Sequence, residues 1–178
     1  MSNRVTSFPP LIAPNATRLI LGSMPGVVSL TAGRYYAHPQ NAFWRIMAGV
    51  VGFDAALPYD ERVSALNDAG IALWDVLAAC ERAGSLDSAI ARASEVATDL
   101  VGLLAEHPRL TRVYFNGAAA EAAFRRHCKA LAARTDLRFE RLPSTSPAHA
   151  SLRFDAKLEA WRAALSSHNA DNMASFPQ

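Results

Sequence analysis

Asn41 is the polar residue of this sequence that core packing explains least well. It lies in the stretch YYAHPQNAFW (35–44), where four large aromatic residues crowd around a histidine, a proline and two side-chain amides. An ordinary core segment would not place Gln40 and Asn41 among so many rings. The apolar spacing that follows predicts a helix, which Asn41 could cap. An amide at this position could equally take part in chemistry.

Two further polar residues follow short apolar runs that are typical of buried strands. Asp75 follows IALW, and Asn116 follows RVYF. Each could simply bond to nearby backbone, as most such residues do. Each is also predicted at the carboxyl end of a strand, where an α/β sheet binds its ligands. A planar heteroaromatic ligand would require this combination: a ring to stack on, and amides or carboxylates at its edge.

Two loops complete the set of candidate groups. GSMPG (22–26) can aim backbone N–H groups at a ligand, although it matches no phosphate-binding glycine motif. PSTSPAHAS (143–151) carries four hydroxyls and His149, which suits contacts with phosphate oxygens or a serine-rich turn before the last helix. Neither a nucleophile elbow nor a cluster of metal ligands is present. We therefore predict no metal and no cofactor.

The elements that must position these groups alternate between strand and helix. This alternation predicts an α/β fold with a mainly parallel sheet. The strands are predicted at 18–23, 71–77, 111–117 and 137–143. Functional residues are then expected in the loops at 22–41, 74–88, 116–118 and 143–151.

The chain's bulk properties fit one globular domain. It has 178 residues, 51% of them hydrophobic, with a formal net charge of +2. We expect a single domain over 1–178, with a core at about 18–165 and a frayed polar tail from 166. No secretory signal and no membrane-spanning run is visible, which predicts a cytoplasmic protein. The two cysteines, Cys80 and Cys128, indicate neither a disulfide framework nor a metal site.

Basic residues are concentrated in one part of the chain. Six of them fall within seventeen positions: Arg125, Arg126, Lys129, Arg134, Arg138 and Arg141. We interpret this cluster mainly as a solvated helix face, since the small net charge does not by itself indicate a nucleic-acid partner.

Taken together, these motifs resemble the uracil-DNA glycosylase superfamily. GSMPGVVSLTAGRYYAHPQNAFW resembles the first motif of mismatch-specific uracil/thymine glycosylases, which is Gly-x-Asn-Pro-Gly followed by Ala-His-Pro-x-Asn-x-Phe-Trp. GIALWDVL, RVYFNG and LPSTSPAHAS fall where the superfamily has its base-reading strand, its next strand and its DNA-penetrating loop. The resemblance covers most of 18–165. It implies a three-layer α/β/α sandwich around a four-stranded sheet.

One departure from the superfamily pattern changes the expected catalytic residue. Met24 stands where the superfamily places a water-activating Asp or Asn. This change, together with the STSPA loop, resembles the hypoxanthine-DNA glycosylase (deoxyinosine glycosylase) branch. That branch assigns catalysis to the asparagine of its Asn-x-Phe-Trp element, which is Asn41 here. An amide is no strong base, but it can hold a water in line for attack.

The resemblance also implies roles around the base. Tyr36 matches an aromatic that stacks on a base flipped out of DNA, and Asp75 matches the strand-end residue that reads the base edge. The backbone around Ser23 and Met24 would line the pocket. Ser144 stands where relatives carry a His or Asn that stabilises the departing base.

The last loop is expected to contact DNA. By the same resemblance, Ser146 would contact a phosphate, and Ala148 with His149 would replace the apolar wedge that relatives insert into the duplex.

The predicted function is that of a monofunctional DNA glycosylase. It would flip a deaminated base, preferably hypoxanthine, out of DNA and hydrolyse its N-glycosidic bond, leaving an abasic site for base excision repair. The expected partner is DNA containing deaminated bases, and the expected state is a metal-free monomer. The alternatives are a glycosylase for uracil or thymine in G·U and G·T mismatches, a catalytically inactive nucleic-acid-binding relative, and an unrelated small-molecule hydrolase.

Overall fold

A computed structural model describes residues 3–166, in which the strands form two separate sheets. The strands are β1 (Arg4–Thr6), β2 (Arg18–Gly22), β3 (Ile71–Asp75), β4 (Leu77–Arg82), β5 (Ile90–Ala97), β6 (Arg112–Asn116) and β7 (Arg138–Leu142). The α-helices are α1 (Val27–Ala32), α2 (Phe43–Val51), α3 (Tyr59–Asp68), α4 (Leu100–Glu106), α5 (Ala118–His127), α6 (Lys129–Ala132) and α7 (Phe154–Ser166).

The larger sheet has four parallel strands in the order β3-β2-β6-β7. Its register pairs Gly22 with Asp75 at one interface and Asn116 with Leu142 at another, so the carboxyl ends of the strands lie side by side. The four predicted strands are all present, with bounds shifted by one or two residues. The prediction of a mainly parallel four-stranded sheet is confirmed.

Helices cover both faces of this sheet. Along β2, Leu19 and Leu21 join a cluster with residues of α4 and α5, whereas Ile20 joins a second cluster with residues of α2, α3 and α7. Alternate side chains of a strand point to opposite faces, so a continuous apolar run supplies both clusters. The predicted three-layer α/β/α sandwich is therefore confirmed.

A second, antiparallel sheet was not predicted. It has the order β1-β4-β5, and β4 begins only two residues after β3 ends. The single strand predicted at 71–77 is therefore wrong beyond Asp75, where the chain leaves the parallel sheet. The strand β5 is short of buried side chains, and such strands lack the hydrophobic pattern that reveals a strand in a sequence.

Two further expectations concern membrane-spanning segments and the C-terminal tail. Between residues 3 and 166 no helix is both long and apolar enough to cross a membrane. The frayed tail expected from residue 166 lies outside the described residues, apart from Ser166 at the end of α7.

Candidate active site

A cavity of about 340 Å³ opens at the carboxyl edge of the parallel sheet. It is lined by the ends of β2, β3 and β6 and by the loop after β7, so all four loops expected from the sequence contribute. Eight of the nine predicted site residues line it: Ser23, Met24, Tyr36, Asn41, Asp75, Ser144, Ser146 and Ala148. His149 does not line the cavity; its exposed ring lies 3.2 Å from the Ser151 hydroxyl.

Tyr36 forms an aromatic wall of the cavity. Its ring stacks on Phe43 with centroids 4.0 Å apart and planes 20° from parallel. The Tyr36 backbone has φ of 53°, a left-handed conformation that is unfavourable for a bulky side chain and that the surrounding contacts must impose. Burial raises the pKa of the Tyr36 phenol well above its usual value, with the nearby Asp75 charge adding to this, so the hydroxyl stays protonated.

Asp75 places a carboxyl group at the floor of the cavity, with 3% of the residue exposed. The Ser7 hydroxyl donates to its Oδ2 at 2.6 Å. Its Oδ1 lies beside Gly22, where an added Cβ would be 2.4 Å from that oxygen and 3.0 Å from the Tyr36 hydroxyl. Gly22 is therefore required for these two polar groups to converge.

The environment of Asp75 favours its protonated form. The pKa of this carboxyl is raised to about 7, chiefly by burial and also by the Asp87 carboxylate, while the Ser7 hydroxyl and the Arg82 guanidinium oppose the shift. Near neutral pH the group can therefore donate a hydrogen bond as well as accept one.

Asn41 lies two residues before the start of α2 and lines the cavity. Its Oδ1 accepts a hydrogen bond from the Phe43 backbone N–H at 3.0 Å. That donor fixes the orientation of the amide, because the alternative would turn the Nδ2 hydrogens toward another N–H. Among residues 3–166 the Asn41 Nδ2 has no hydrogen-bond partner, and the side chain lines the cavity. The cap position itself belongs to Ala42, so Asn41 is not the cap residue, although its side chain still accepts from the first N–H of the helix. Its place in the cavity lining leaves the second interpretation, a part in chemistry, open.

Asn116 bonds to groups of two other segments that line the cavity. Its Nδ2 donates to the Tyr36 hydroxyl at 3.1 Å and to the Thr145 Oγ1 at 2.9 Å, and its Oδ1 accepts from the Thr145 backbone N–H at 2.9 Å. The Thr145 carbonyl in turn accepts from the Ala42 N–H at 3.0 Å. Asn116 and Thr145 therefore connect the Tyr36 ring, the loop at 143–151 and the start of α2 through hydrogen bonds. Thr145 was not singled out in the sequence.

The loop at 143–151 is built from short serine turns. The Ser144 Oγ accepts from the Ser146 N–H, and the Ser146 Oγ accepts from the Ala148 N–H, each at 3.2 Å. Each hydroxyl still has its proton to donate outward.

Helix α7 holds the loop at both ends. The Trp161 indole donates to the Pro143 carbonyl at 2.9 Å, and the Lys157 ammonium donates to the His149 carbonyl at 2.7 Å. The serine hydroxyls are therefore presented from a loop whose backbone is held by the helix that follows it.

Asp87 is the acidic residue of the cavity that sequence reasoning missed. It begins a short 3₁₀ turn (Asp87–Ala89), and its Oδ1 accepts from the Ser23 hydroxyl at 2.6 Å. Burial raises the pKa of Asp87 above its usual value, and the bond from Ser23 opposes that shift. Asp87 lies in a loop expected to be functional, but only the tertiary structure brings it beside Ser23.

Met24 lines the cavity and also packs into the core, with 6% of the residue exposed. Its thioether has no proton to give and accepts hydrogen bonds only weakly. Within residues 3–166 no lysine lines the cavity, and no three His, Cys, Asp or Glu side chains are grouped closely enough to hold a metal ion.

These groups suit a planar heterocycle. Tyr36 contributes an aromatic ring to the cavity lining, Asp75 a carboxyl group and Asn41 an amide. The Ser144 and Ser146 hydroxyls stand at the loop side. The cavity can therefore stack a ring against one ligand the size of a nucleobase, form hydrogen bonds to its edge and hold a water molecule beside it.

Comparisons with known proteins converge on one family. The model of the uracil DNA glycosylase superfamily matches residues 9–165. A protein of Methanosarcina barkeri named hypoxanthine DNA glycosylase is 41% identical over 111 residues, which is 62% of this chain and 69% of that protein. A Methanosarcina acetivorans protein of the same name is 37% identical over 114 residues, covering 64% and 71% respectively. The solution NMR structure of a candidate uracil DNA glycosylase from Methanosarcina acetivorans superposes with a TM-score of 0.74 at 30% identity, covering 92% of this chain and 99% of that one.

Proposed function

This chain belongs to the uracil DNA glycosylase superfamily and is a DNA N-glycosylase, and we propose that it is a monofunctional enzyme that removes hypoxanthine from DNA. The convergence of Tyr36, Asp75 and Asn41 on one cavity, with Met24 among them, carries this proposal. It is supported by the two relatives named hypoxanthine DNA glycosylase, which are 41% and 37% identical to this chain.

In the proposed reaction the damaged nucleotide leaves the base stack and its base enters the cavity. Extrusion costs a few kcal/mol and is easiest for weakly paired bases, which include deaminated ones. The base stacks on Tyr36, whose ring orientation is fixed by Phe43 and Asn116. Ser23 and Met24 border the same space and set its width.

Cleavage of the N-glycosidic bond develops positive charge on the sugar and negative charge on the departing base. Asn41 holds the attacking water, using the Oδ1 lone pair that Phe43 leaves free or the unpaired Nδ2. Protonated Asp75 donates to the base edge, and the Ser144 hydroxyl adds a second donor to the leaving group. The bond from C1′ to the base nitrogen breaks, the water oxygen bonds to C1′, and the proton that this water loses passes through solvent to the departing base anion. No strong general base is required, because the sugar cation accepts a positioned neutral water.

DNA contacts are assigned to the loop at 143–151. The Ser146 hydroxyl donates to a phosphate, and Ala148 with His149 occupies the gap that the flipped nucleotide leaves. Without a lysine in the described cavity lining, we propose hydrolysis to an abasic site, without a Schiff-base step. That product would be passed to base excision repair. The single-domain organisation, monomeric state and cytoplasmic location remain predictions from the sequence.

The test is base release from defined duplexes. Labelled DNA carrying one inosine, uracil, xanthine or mismatched thymine is incubated with protein, and abasic sites are converted to breaks with alkali. We expect scission at inosine, and a loss of at least about 100-fold in single-turnover rate for Asn41→Ala, with DNA binding retained. Gln40→Ala, the neighbouring amide on the exposed side, is the matched control.

The remaining outcomes separate the alternatives. Equal rates for wild type and Asn41→Ala overturn the role of Asn41. Scission at uracil in G·U pairs without scission at inosine replaces hypoxanthine with uracil as the substrate.

A further inference from the structure

A second groove, of about 370 Å³, adjoins the cavity on the side of α2 and α3. It shares Tyr35, Tyr36, His38 and Asn41 with the cavity, so the two spaces are adjacent. Three arginines line it: Arg34, Arg45 and Arg62. None of the acidic residues between 3 and 166 lies in its lining.

These arginines are held by aromatic rings instead of carboxylates. The Arg62 guanidinium lies 4.9 Å from the centre of the Trp44 ring and 5.9 Å from that of Tyr59. Arg34 lies 5.4 Å from the centre of the same Tyr59 ring, and Arg45 lies 4.7 Å from that of Phe154. Stacking orients a guanidinium plane while leaving its N–H groups free to donate.

Several arginines elsewhere on the chain contrast with these three. In the basic cluster at 125–141, Arg125 pairs with Glu121, Arg126 with Glu95, and Arg134 with Asp136. Within the described residues, Arg34, Arg45 and Arg62 make no ion pair and donate no side-chain hydrogen bond. The positive charge next to the cavity is therefore available to an anionic partner, whereas most of the basic cluster is already paired with carboxylates.

Arg62 carries its charge in a partly buried place. Burial lowers the pKa of Arg62; Tyr59 opposes this shift, and the positive charge of Arg34 on the same ring adds to it. The buried Arg62 Nε has no hydrogen-bond partner among residues 3–166. Two like charges on one ring are unfavourable until an anion lies between or beside them.

We propose that this groove binds the phosphodiester backbone of the damaged DNA strand next to the flipped nucleotide, with Arg34 and Arg62 donating to phosphate oxygens and Arg45 extending the path. The inference rests on the proposed function, because it takes the strand whose nucleotide fills the cavity as its ligand. The groove and the loop at 143–151 would then hold the strand on two sides of the extruded base. A guanidinium suits this task, since its N–H groups match phosphate oxygens in pairs.

The first test is the salt dependence of binding to an inosine duplex, measured by fluorescence anisotropy. Each phosphate contact contributes about 0.9 to the slope of log Kd against log salt concentration. The double variant Arg34→Gln/Arg62→Gln lacks two of these contacts, so the slope should decrease by about 1.8. Its Kd at low salt should rise roughly tenfold or more. Arg125→Gln/Arg134→Gln removes the same charge from ion-paired positions and should leave slope and Kd near wild type. Equal losses in both double variants overturn the proposal, since only net charge would then matter.

The second test locates the contact. Neutral methylphosphonate replaces one phosphate at a time on either side of inosine, and each duplex is measured with wild type and with the Arg34→Gln/Arg62→Gln variant. At the contacted phosphate the two changes should be strongly non-additive, because each removes the same interaction. Additive losses at every position overturn the proposal. Thermal unfolding of the double variant shows whether it is still folded. The single variant Arg34→Gln changes an exposed residue, so a binding loss in it reports the missing phosphate contact and not unfolding.

Failure of the inference and failure of the proposed function give different results in these duplexes. If wild type cuts at inosine but the arginine pair affects neither slope nor phosphate coupling, the groove is not a phosphate site and the function stands. If the arginine pair controls binding but inosine is not excised, the groove stands and the proposed substrate is wrong.

Discussion

The hydroxyl of Ser7 donates to Oδ2 of Asp75 at 2.6 Å, across 68 positions of the chain. The segment before the first strand of the parallel sheet thus contacts the carboxyl at the floor of the cavity. This contact opposes the rise in the Asp75 pKa that burial causes. Ser7 therefore lowers the pKa of Asp75, the carboxyl that we propose contacts the base.

The pH dependence of base release should follow Asp75. Because its pKa is about 7, the carboxyl loses its proton as pH rises through neutrality, and its charge would then repel the departing base. Single-turnover rates on inosine duplexes should fall above about pH 7 in wild type. In Ser7→Ala the fall should move to higher pH, since the carboxylate loses a donor. In Asp75→Asn it should vanish; the same fall in that variant would assign it to another group.

The stability of the protein should depend on pH through the same residue. The unfolded chain releases the Asp75 proton near 3.8, whereas the folded chain keeps it up to about 7. The folded state binds more protons between these values, so the free energy of unfolding decreases as pH rises through that window, by at most roughly 4 kcal/mol. Asp75→Asn should therefore be stabilised relative to wild type more at pH 8 than at pH 4. Urea unfolding at both values checks this, and a pH-independent difference would contradict it.

Gly22→Ala should greatly reduce activity. The new Cβ would lie 2.4 Å from the Asp75 Oδ1 and 3.0 Å from the Tyr36 hydroxyl, so both groups must move away from the base site. We expect a decrease of roughly 100-fold in single-turnover rate on inosine DNA. Gly26→Ala, in the same loop, meets nothing closer than 3.4 Å and should cost far less. Similar losses in both would indicate a general loop effect.

Met24→Leu should be tolerated. The swap nearly conserves volume at a buried position, so stability should change by less than about 1.5 kcal/mol. If Met24 only fills space, the rate of inosine excision should stay within about threefold of wild type. A loss comparable to that of Asn41→Ala would mean that the sulfur takes part in the reaction.

Asn116→Ala should weaken both fold and activity. It leaves the Thr145 N–H and the Tyr36 hydroxyl without their partner, at about 1–3 kcal/mol for each unsatisfied group. Asn116→Asp keeps the acceptor for Thr145 but loses the donor to Tyr36, so it should recover stability more than activity. Thermal unfolding and excision rates, measured where both variants are folded, test the split. Full activity in Asn116→Asp would show that the Tyr36 hydroxyl needs no donor.

The sequence by itself determined the parallel sheet, the loops at its carboxyl edge and most of the cavity lining. Those features are local: a buried strand is a short apolar run, and a strand end is the polar residue after it, as with Asp75 and Asn116. The spacing of Asn41 to Phe43 and Trp44 was likewise readable, because it lies within one segment of the chain.

Only the tertiary structure decided the relationships between distant segments. Three hydrogen bonds join residues whose types alone predict no partner: Ser7 with Asp75, Ser23 with Asp87, and Asn116 with Thr145. The distribution of charge was also hidden. The basic run at 125–141 is conspicuous in sequence but largely ion-paired, whereas Arg34, Arg45 and Arg62 are scattered along the chain and meet only because α2 and α3 pack together. Hydrophobic periodicity specifies what is buried, but pairing between surface groups depends on distances that exist only after folding.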